Sequence, residues 1–374
     1  MIDTKAFYDT LIANGLDFFA GVPDSLLKNL CACIKENTPD NRNIIAANEG
    51  NAIAIASGYH IATGKLGVVY MQNSGLGNTV NPLLSLADED VYRIPMLLIV
   101  GWRGEPGVKD EPQHKKQGKL TLPLLETMGI PYWVLLGDDP PAQIAACLAY
   151  LKEEGKPAAL VIRKGTFSPY ALEKAPDRYF IRREEALETI LSEMEPDAFL
   201  VSTTGKTSRE IFEIRERRGE GHAHDFLTVG SMGHTASIAL GMSIGSDRPV
   251  YCIDGDGSFL MHMGGMGIAA KNAGAQFRYV LINNGAHESV GGQPTIAFDI
   301  DVEAVLRAVG FAYVEHAEHP EEIERALRRL KAEPHGALVI AVNQGSRDDL
   351  GRPTVSPEEN KRAMMAAFAG GDGK

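Results

Sequence analysis

The stretch 250–292 constrains what this chain can fold into more than any other. It reads VYCIDGDGSFLMHMGGMGIAAKNAGAQFRYVLINNGAHESVGG. A short apolar run, 250–253, ends in Asp254-Gly255-Asp256-Gly257, as a buried strand does when it delivers a tight loop. Residues 259–272 are small and apolar and read as a helix closed by Gly274; a second apolar run, 277–282, then delivers Asn283-Asn284-Gly285. Strand, glycine loop, helix and strand make a βαβ unit. Both of its oxygen-bearing loops emerge at one sheet edge, where open α/β sheets place their ligands.

Asp256 offers a carboxylate and Asn284 an amide oxygen, about one crossover apart. Hard oxygen ligands on neighbouring strand ends suit Mg²⁺, which takes few protein ligands and completes its shell with phosphate and water. The glycines let backbone N–H groups approach a phosphate at the helix start. A lone GDG would be an ordinary glycine turn; GDG with NN at this distance favours a metal-bound diphosphate.

The first half repeats the alternation. Residues 4–14 read as helix and 17–21 (DFFAG) as the first strand, followed by Val22-Pro23-Asp24-Ser25, where Ser25 is placed to cap the helix LLKNLCACIKEN. A strand-like run, 43–47, leads to Asn48-Glu49-Gly50 and a buried-type helix, NAIAIASGYHIATG. Glu49 opens that helix. It is either a charge favoured by the helix dipole or an acid whose burial prepares it for proton transfer. The strand GVVYMQ runs into Asn73-Ser74-Gly75-Leu76-Gly77-Asn78, which fails as a dinucleotide fingerprint because Val80 stands where the third glycine belongs. After the strand PMLLIVGW comes RGEPGVKDEPQHKKQG, read as a long polar loop; such loops inside compact domains are usually functional, and Gln113 and His114 are its chemical candidates. Further helix and strand runs (PLLETMG, YWVLL, PAQIAACLAYLKEEG, AALVIRK) complete a first domain over 1–164. Residues 165–184, rich in proline and charge, form the expected linker, and a second α/β series fills 185–374. Alternating strands and helices imply a doubly wound parallel sheet in each half.

In the second half, Gly205-Lys206-Thr207-Ser208 is no phosphate loop, because Leu200 stands where its first glycine belongs. Residues 225–230 read as a strand leading to Ser231-Met232-Gly233-His234 and the helix TASIALGMSIG. The net charge of −12 argues against a nucleic-acid surface and leaves no basic amphipathic face for a membrane. No stretch has spanning length, the N-terminus has no signal-peptide layout, and the four cysteines, free of CxxC spacing, read as core thiols of a cytoplasmic protein.

GDGS followed by NN resembles the thiamine-diphosphate motif of the pyruvate-decarboxylase-like superfamily. The resemblance implies a pyrimidine-binding domain and a diphosphate-binding domain without the third domain of larger relatives. It implies that Asp256, Asn284 (with Asn283 as the register competitor) and the Ala286 carbonyl hold Mg²⁺, and that Gly255, Gly257 and Ser258 approach the diphosphate. Glu49 matches the glutamate that hydrogen-bonds the aminopyrimidine, Met232 the residue wedged beneath the cofactor, and Gly230 the carbonyl that accepts from its amino group. Asn73 and Gly75 match the cofactor-facing turn. The runs GVPDSLLKNL, NEGNAIAIASGYHIATGK, YMQNSGLGNTVNPL, GWRGEPGVKDEPQH, NNGAHESVGGQPT and RDDLGRPT together are similar to the phosphonopyruvate decarboxylase family, with sulfopyruvate decarboxylases as near relatives. The implied substrate is a small 2-oxo acid bearing a phosphonate. Ser25, Asn73, Gln113, His114, His287 and Ser289 are expected around it, with Arg347 or Arg352 as the fork that a phosphonate favours. A homo-oligomer, at least a dimer, with active sites at the subunit interface is also implied. Cofactor binding without catalysis is the competing class, and an intact Glu49 argues against it.

Overall fold

The computed structural model describes residues 1–135, 140–173 and 176–370. Leu136 of the expected YWVLL strand, Lys174 and Ala175 of the expected linker, and 371–374 of the expected second domain lie outside the described residues. The chain forms two compact units: Met1–Lys174 with His287–Gln293, and Ala175–Ala286 with Pro294–Lys374.

In the first unit the strands are β1 (Phe19–Gly21), β2 (Asn43–Ile45), β3 (Gly67–Gln72), β4 (Met96–Gly101), β5 (Tyr132–Leu135) and β6 (Ala158–Ile162). They form one parallel sheet in the order β2-β1-β3-β4-β6-β5. The helices are α1 (Thr4–Ala13), α2 (Lys28–Asn37), α3 (Glu49–Thr63), α4 (Leu76–Pro82), α5 (Pro112–Thr127) and α6 (Pro140–Glu154). Strand β4 and β3 up to Gln72 are apolar because both faces are covered: in β3, Val68 and Tyr70 join one core layer, Val69 and Met71 the other.

In the second unit the elements are α7 (Arg183–Glu193), β7 (Phe199–Ser202), α8 (Lys206–Arg218), β8 (Asp225–Leu227), α9 (Thr235–Ile244), β9 (Val250–Gly255), α10 (Asp256–Met261), α11 (Gly264–Asn272) and β10 (Phe277–Asn283). A short ladder of β11 (Ala286–His287) and β12 (Gln293–Pro294) follows, then α12 (Val302–Ala308), β13 (Tyr313–Ala317), α13 (Pro320–Leu330), β14 (Gly336–Ala341) and α14 (Pro357–Phe368). The main sheet is parallel in the order β13-β14-β10-β9-β7-β8. Read from β8, this is the order of the first sheet. Each sheet therefore has its topological switch at the same place, between β1 and β3 and between β7 and β9, where ligands of such sheets settle. The doubly wound α/β fold expected from the sequence is present in both units. No described helix is long and apolar enough to cross a membrane, and all four cysteines are buried and free.

Four local expectations are corrected. The run 103–118 is not one irregular loop: Pro112 takes the first position of α5, where its missing N–H costs nothing, so Gln113 and His114 lie on a helix. Ser25 caps no helix; α2 starts later, after Leu27, and the Ser25 hydroxyl is bonded elsewhere. The helix expected over 259–272 is two helices, broken at His262 and Met263. Strand β8 ends at Leu227, leaving Gly230 in the loop beyond it.

Candidate active site

At the carboxyl edge of the first sheet, the Asn48 side chain accepts from the Asn51 N–H at 3.0 Å and so starts α3 at Glu49. The Glu49 side chain is 5 % exposed. Asn78 Nδ2 donates to its Oε2 at 2.7 Å, and a Cβ on Gly75 would overlap its carboxylate. Gly75 is required there because only a bare Cα lets the turn close on the acid. Asn73 is tied to the loop after β4: its Nδ2 donates to the Arg103 carbonyl and to Thr121 Oγ1, both at 2.8 Å, and its Oδ1 accepts the Arg103 N–H at 3.1 Å.

The same edge carries Ser25, which accepts from Arg103 Nη1 at 2.6 Å, and His114, whose Nδ1 lies 2.9 Å from Asp110 Oδ1. An ionised carboxylate only accepts, so Nδ1 carries the proton and Nε2 presents a lone pair. Burial lowers the His114 pKa and outweighs the opposing hydrogen bond from Asp110, so the ring is neutral near pH 7. Beside Ser25, burial lifts Asp24 to about 6; its Oδ2 accepts from Leu26 N–H at 2.9 Å, and its Oδ1 is unpaired. Gln113 Oε1 is also buried without a partner. In the segment 287–293, which groups with this unit, desolvation lowers His287 to about 4 and Ser289 is exposed. Gln293 is 1 % exposed with neither amide atom paired.

At the carboxyl edge of the second sheet, Asp256 begins α10 at 4 % exposure, and burial lifts its carboxyl to about 6. Thr295 Oγ1 donates to its Oδ2 at 2.5 Å. Asn283 spends its amide on structure, accepting from Gly285 N–H at 3.0 Å and donating to the Ala297 carbonyl at 3.2 Å. Asn284 Oδ1 accepts the Ala286 N–H at 3.1 Å. Ser258 Oγ accepts the Gly233 N–H at 3.1 Å and thereby binds the loop of Gly230 and half-buried Met232 to the glycine loop. Ser231 holds a left-handed φ of 56°, strain of the kind found where a loop must aim its next residue. Gly255 and Gly257 flank Asp256 at the start of α10. Farther along, Arg347 binds Glu184, Glu213 and Asp349, and Arg352 is exposed. The structure thus groups Glu49, Gly75, Asn73, Ser25 and His114 at one sheet edge and Asp256, Asn284, Ser258 and the Gly230–Met232 loop at the other.

Two family models match, the thiamine pyrophosphate enzyme N-terminal binding domain over residues 4–122 and the C-terminal binding domain over 203–342. The phosphonopyruvate decarboxylase of Streptomyces viridochromogenes is 36% identical over 98% of this chain and 95% of its own. That of Streptomyces hygroscopicus is 35% identical over 97% and 93%. The sulfopyruvate decarboxylase of Methanosarcina acetivorans is 28% identical over 92% of each chain. The chain belongs to the phosphonopyruvate decarboxylase family. It is accordingly a thiamine-diphosphate enzyme, a decarboxylase acting on a small molecule.

The residues present fit that cofactor. Asp256 is a buried carboxylate that accepts from the Thr295 hydroxyl, and burial raises its proton affinity, the state a bound divalent ion would relieve. Sequence reasoning missed Asn78, Asp110, Arg103 and Thr295. A lone amide, acid, arginine or threonine in a loop carries no spacing signal; only the fold shows what each one reaches.

Gly75→Ala is expected to displace the Glu49 carboxylate and cut cofactor-dependent turnover about 100-fold, within the range of a lost proton-transfer group. Far-UV circular dichroism should be unchanged. Full turnover in this variant would show that the Gly75–Glu49 approach is incidental.

Proposed function

We propose that this protein decarboxylates 3-phosphonopyruvate to phosphonoacetaldehyde and CO₂, using thiamine diphosphate and Mg²⁺, as a step in cytoplasmic 2-aminoethylphosphonate biosynthesis. The observation that carries the chemistry is the buried Glu49 carboxylate, held by Asn78 and packed against Gly75, where a Cβ would overlap it. The substrate is supported by two phosphonopyruvate decarboxylases similar over nearly the whole chain.

In this reading Asp256, the Asn284 side-chain oxygen and the Ala286 carbonyl hold Mg²⁺. Asn283 remains the register competitor, since the Oδ1 of each asparagine accepts one backbone N–H. The boundaries 1–164 and 185–374 are those of a pyrimidine and a diphosphate domain. Gly255, Gly257 and Ser258 approach the diphosphate, Met232 supports the cofactor from below, and the Gly230 carbonyl accepts from its amino group. Bound thiamine diphosphate supplies the electron sink for the pair released with CO₂. Glu49 holds the proton exchanged with the aminopyrimidine. Neutral His114, with its Nε2 lone pair, and His287, kept uncharged by burial, accept or pass protons at the substrate oxygen. Ser25, Asn73, Gln113 and Ser289 serve the substrate. Arg347, which binds three carboxylates, or Arg352 adds the fork that a phosphonate favours.

The enzyme is a homo-oligomer, at least a dimer, whose sites join the pyrimidine domain of one chain to the diphosphate domain of another. Mixing Glu49→Gln and Asp256→Asn subunits should then regenerate up to about a quarter of wild-type turnover, because a mixed dimer has one site with both acids intact. No recovery on subunit exchange would place both acids of a site on one chain.

Substrate choice is read from kcat/KM for phosphonopyruvate, sulfopyruvate and pyruvate at equal enzyme concentration, with aldehyde release coupled to a dehydrogenase. Phosphonopyruvate is expected to exceed the other two by at least about tenfold, the discrimination of one charged contact. A higher value for sulfopyruvate would reassign the enzyme to sulfoacetaldehyde formation.

A further inference from the structure

A phosphonate dianion entering a chain of net charge −12 needs a cation placed for it. At the carboxyl edge of the first sheet the described residues present such a cation in Arg103, directly after β4. Its side chain is 18% exposed. Asp110 accepts from its Nε at 2.8 Å and from its Nη2 at 2.5 Å, and Ser25 Oγ accepts from its Nη1 at 2.6 Å. A guanidinium has five N–H bonds, so these contacts leave one on each Nη, enough for a two-pronged contact.

Asp110 does not cancel that charge one for one. Its carboxylate also accepts the N–H groups of Gly104 and Glu111, both at 2.8 Å, and faces His114 Nδ1. Burial alone would raise its pKa, yet the hydrogen bonds from Arg103 and His114 hold it far below the usual carboxylate range. Its charge is shared among five donors, and its geometry fixes the orientation of the guanidinium. Ser25, accepting from Arg103, keeps its own proton to donate. The Arg103 backbone is bracketed by Asn73, two residues from the Gly75 that closes on Glu49. Arg103, Ser25 and the catalytic-acid turn therefore follow β4, β1 and β3, three adjacent strands.

We propose that Arg103, oriented by Asp110 and paired with Ser25, recognises the phosphonate group of the substrate and sets the preference of the enzyme for it. This rests on the reading of the chain as a phosphonopyruvate decarboxylase. The alternative is a clamp that only closes the loop 103–111.

The test compares wild-type holoenzyme with Arg103→Met/Asp110→Asn, which removes the pair without stranding a charge, and with Arg103→Lys, which keeps the charge and loses the fork. Steady-state kinetics with phosphonopyruvate are read beside the shift in Tm caused by phosphonoacetate, an unreactive anion of the same class. In the double variant KM should rise about 100-fold and phosphonoacetate protection should vanish, with kcat falling as well because Asp110 also orients His114; Arg103→Lys, which leaves Asp110 in place, should raise KM about tenfold while kcat falls less than about threefold. The Tm shift caused by thiamine diphosphate with Mg²⁺ should persist in both. A loss confined to kcat, or phosphonoacetate protection equal to wild type in either variant, would overturn the assignment. Should the double variant fail to bind cofactor, Arg103→Lys alone decides by the same criteria. Failure of the substrate reading itself is separate: wild-type enzyme would then not turn over phosphonopyruvate at all.

Discussion

Burial of carboxylates at the carboxyl ends of parallel strands is the constraint on which this structure turns. Asp24, Glu49 and Asp256 are 0%, 5% and 4% exposed. A carboxylate removed from water needs a partner, and a single neutral hydrogen bond does not replace its hydration. Asp24 and Asp256 answer by a raised proton affinity, each to about 6. Perturbed acids of this kind concentrate at functional sites.

The two sheets reach this state by one topology used twice. In each, the strand order reverses at the first and third strands, and the loops after the second, third and fourth strands carry the candidate site residues. In the first unit these are Glu49 after β2, Asn73 and Gly75 after β3, and Arg103 after β4. In the second they are Gly230 and Met232 after β8, Gly255 to Ser258 after β9, and Asn284 after β10. One architecture thus presents an acid and a cation at one edge, and a buried carboxylate between two glycines at the other. The fold alone would not name the reaction; the side chains at corresponding loop positions do.

Much of this was legible from the sequence because it is encoded locally. Parallel strands with both faces covered must be continuous apolar runs, and the glycines and asparagines after them mark loops that leave the core. Glu49 stood out because an acid at the head of an otherwise apolar helix demands a reason. What could not be read was partner choice. Asp110 is one acid among many in a polar segment, and its five donors come from three places in the chain. Pro112 did mark a helix start, but the charged residues around it masked the signal. Ser25 looked like a helix cap because Arg103, which claims its hydroxyl, lies far along the chain. The break at His262 and Met263 comes just before Gly264 and Gly265, residues that weaken any helix running through them.

In the proposed division of labour between two buried acids, Asp256 binds the cofactor through the metal, while Glu49 serves the chemistry and is dispensable for binding. Calorimetric titration of thiamine diphosphate with Mg²⁺ into Glu49→Gln and Asp256→Asn tests it most directly. The account predicts that Glu49→Gln binds within about tenfold of wild type, whereas Asp256→Asn loses Mg²⁺-dependent binding by about 100-fold or more. Wild-type affinity in Asp256→Asn would contradict it.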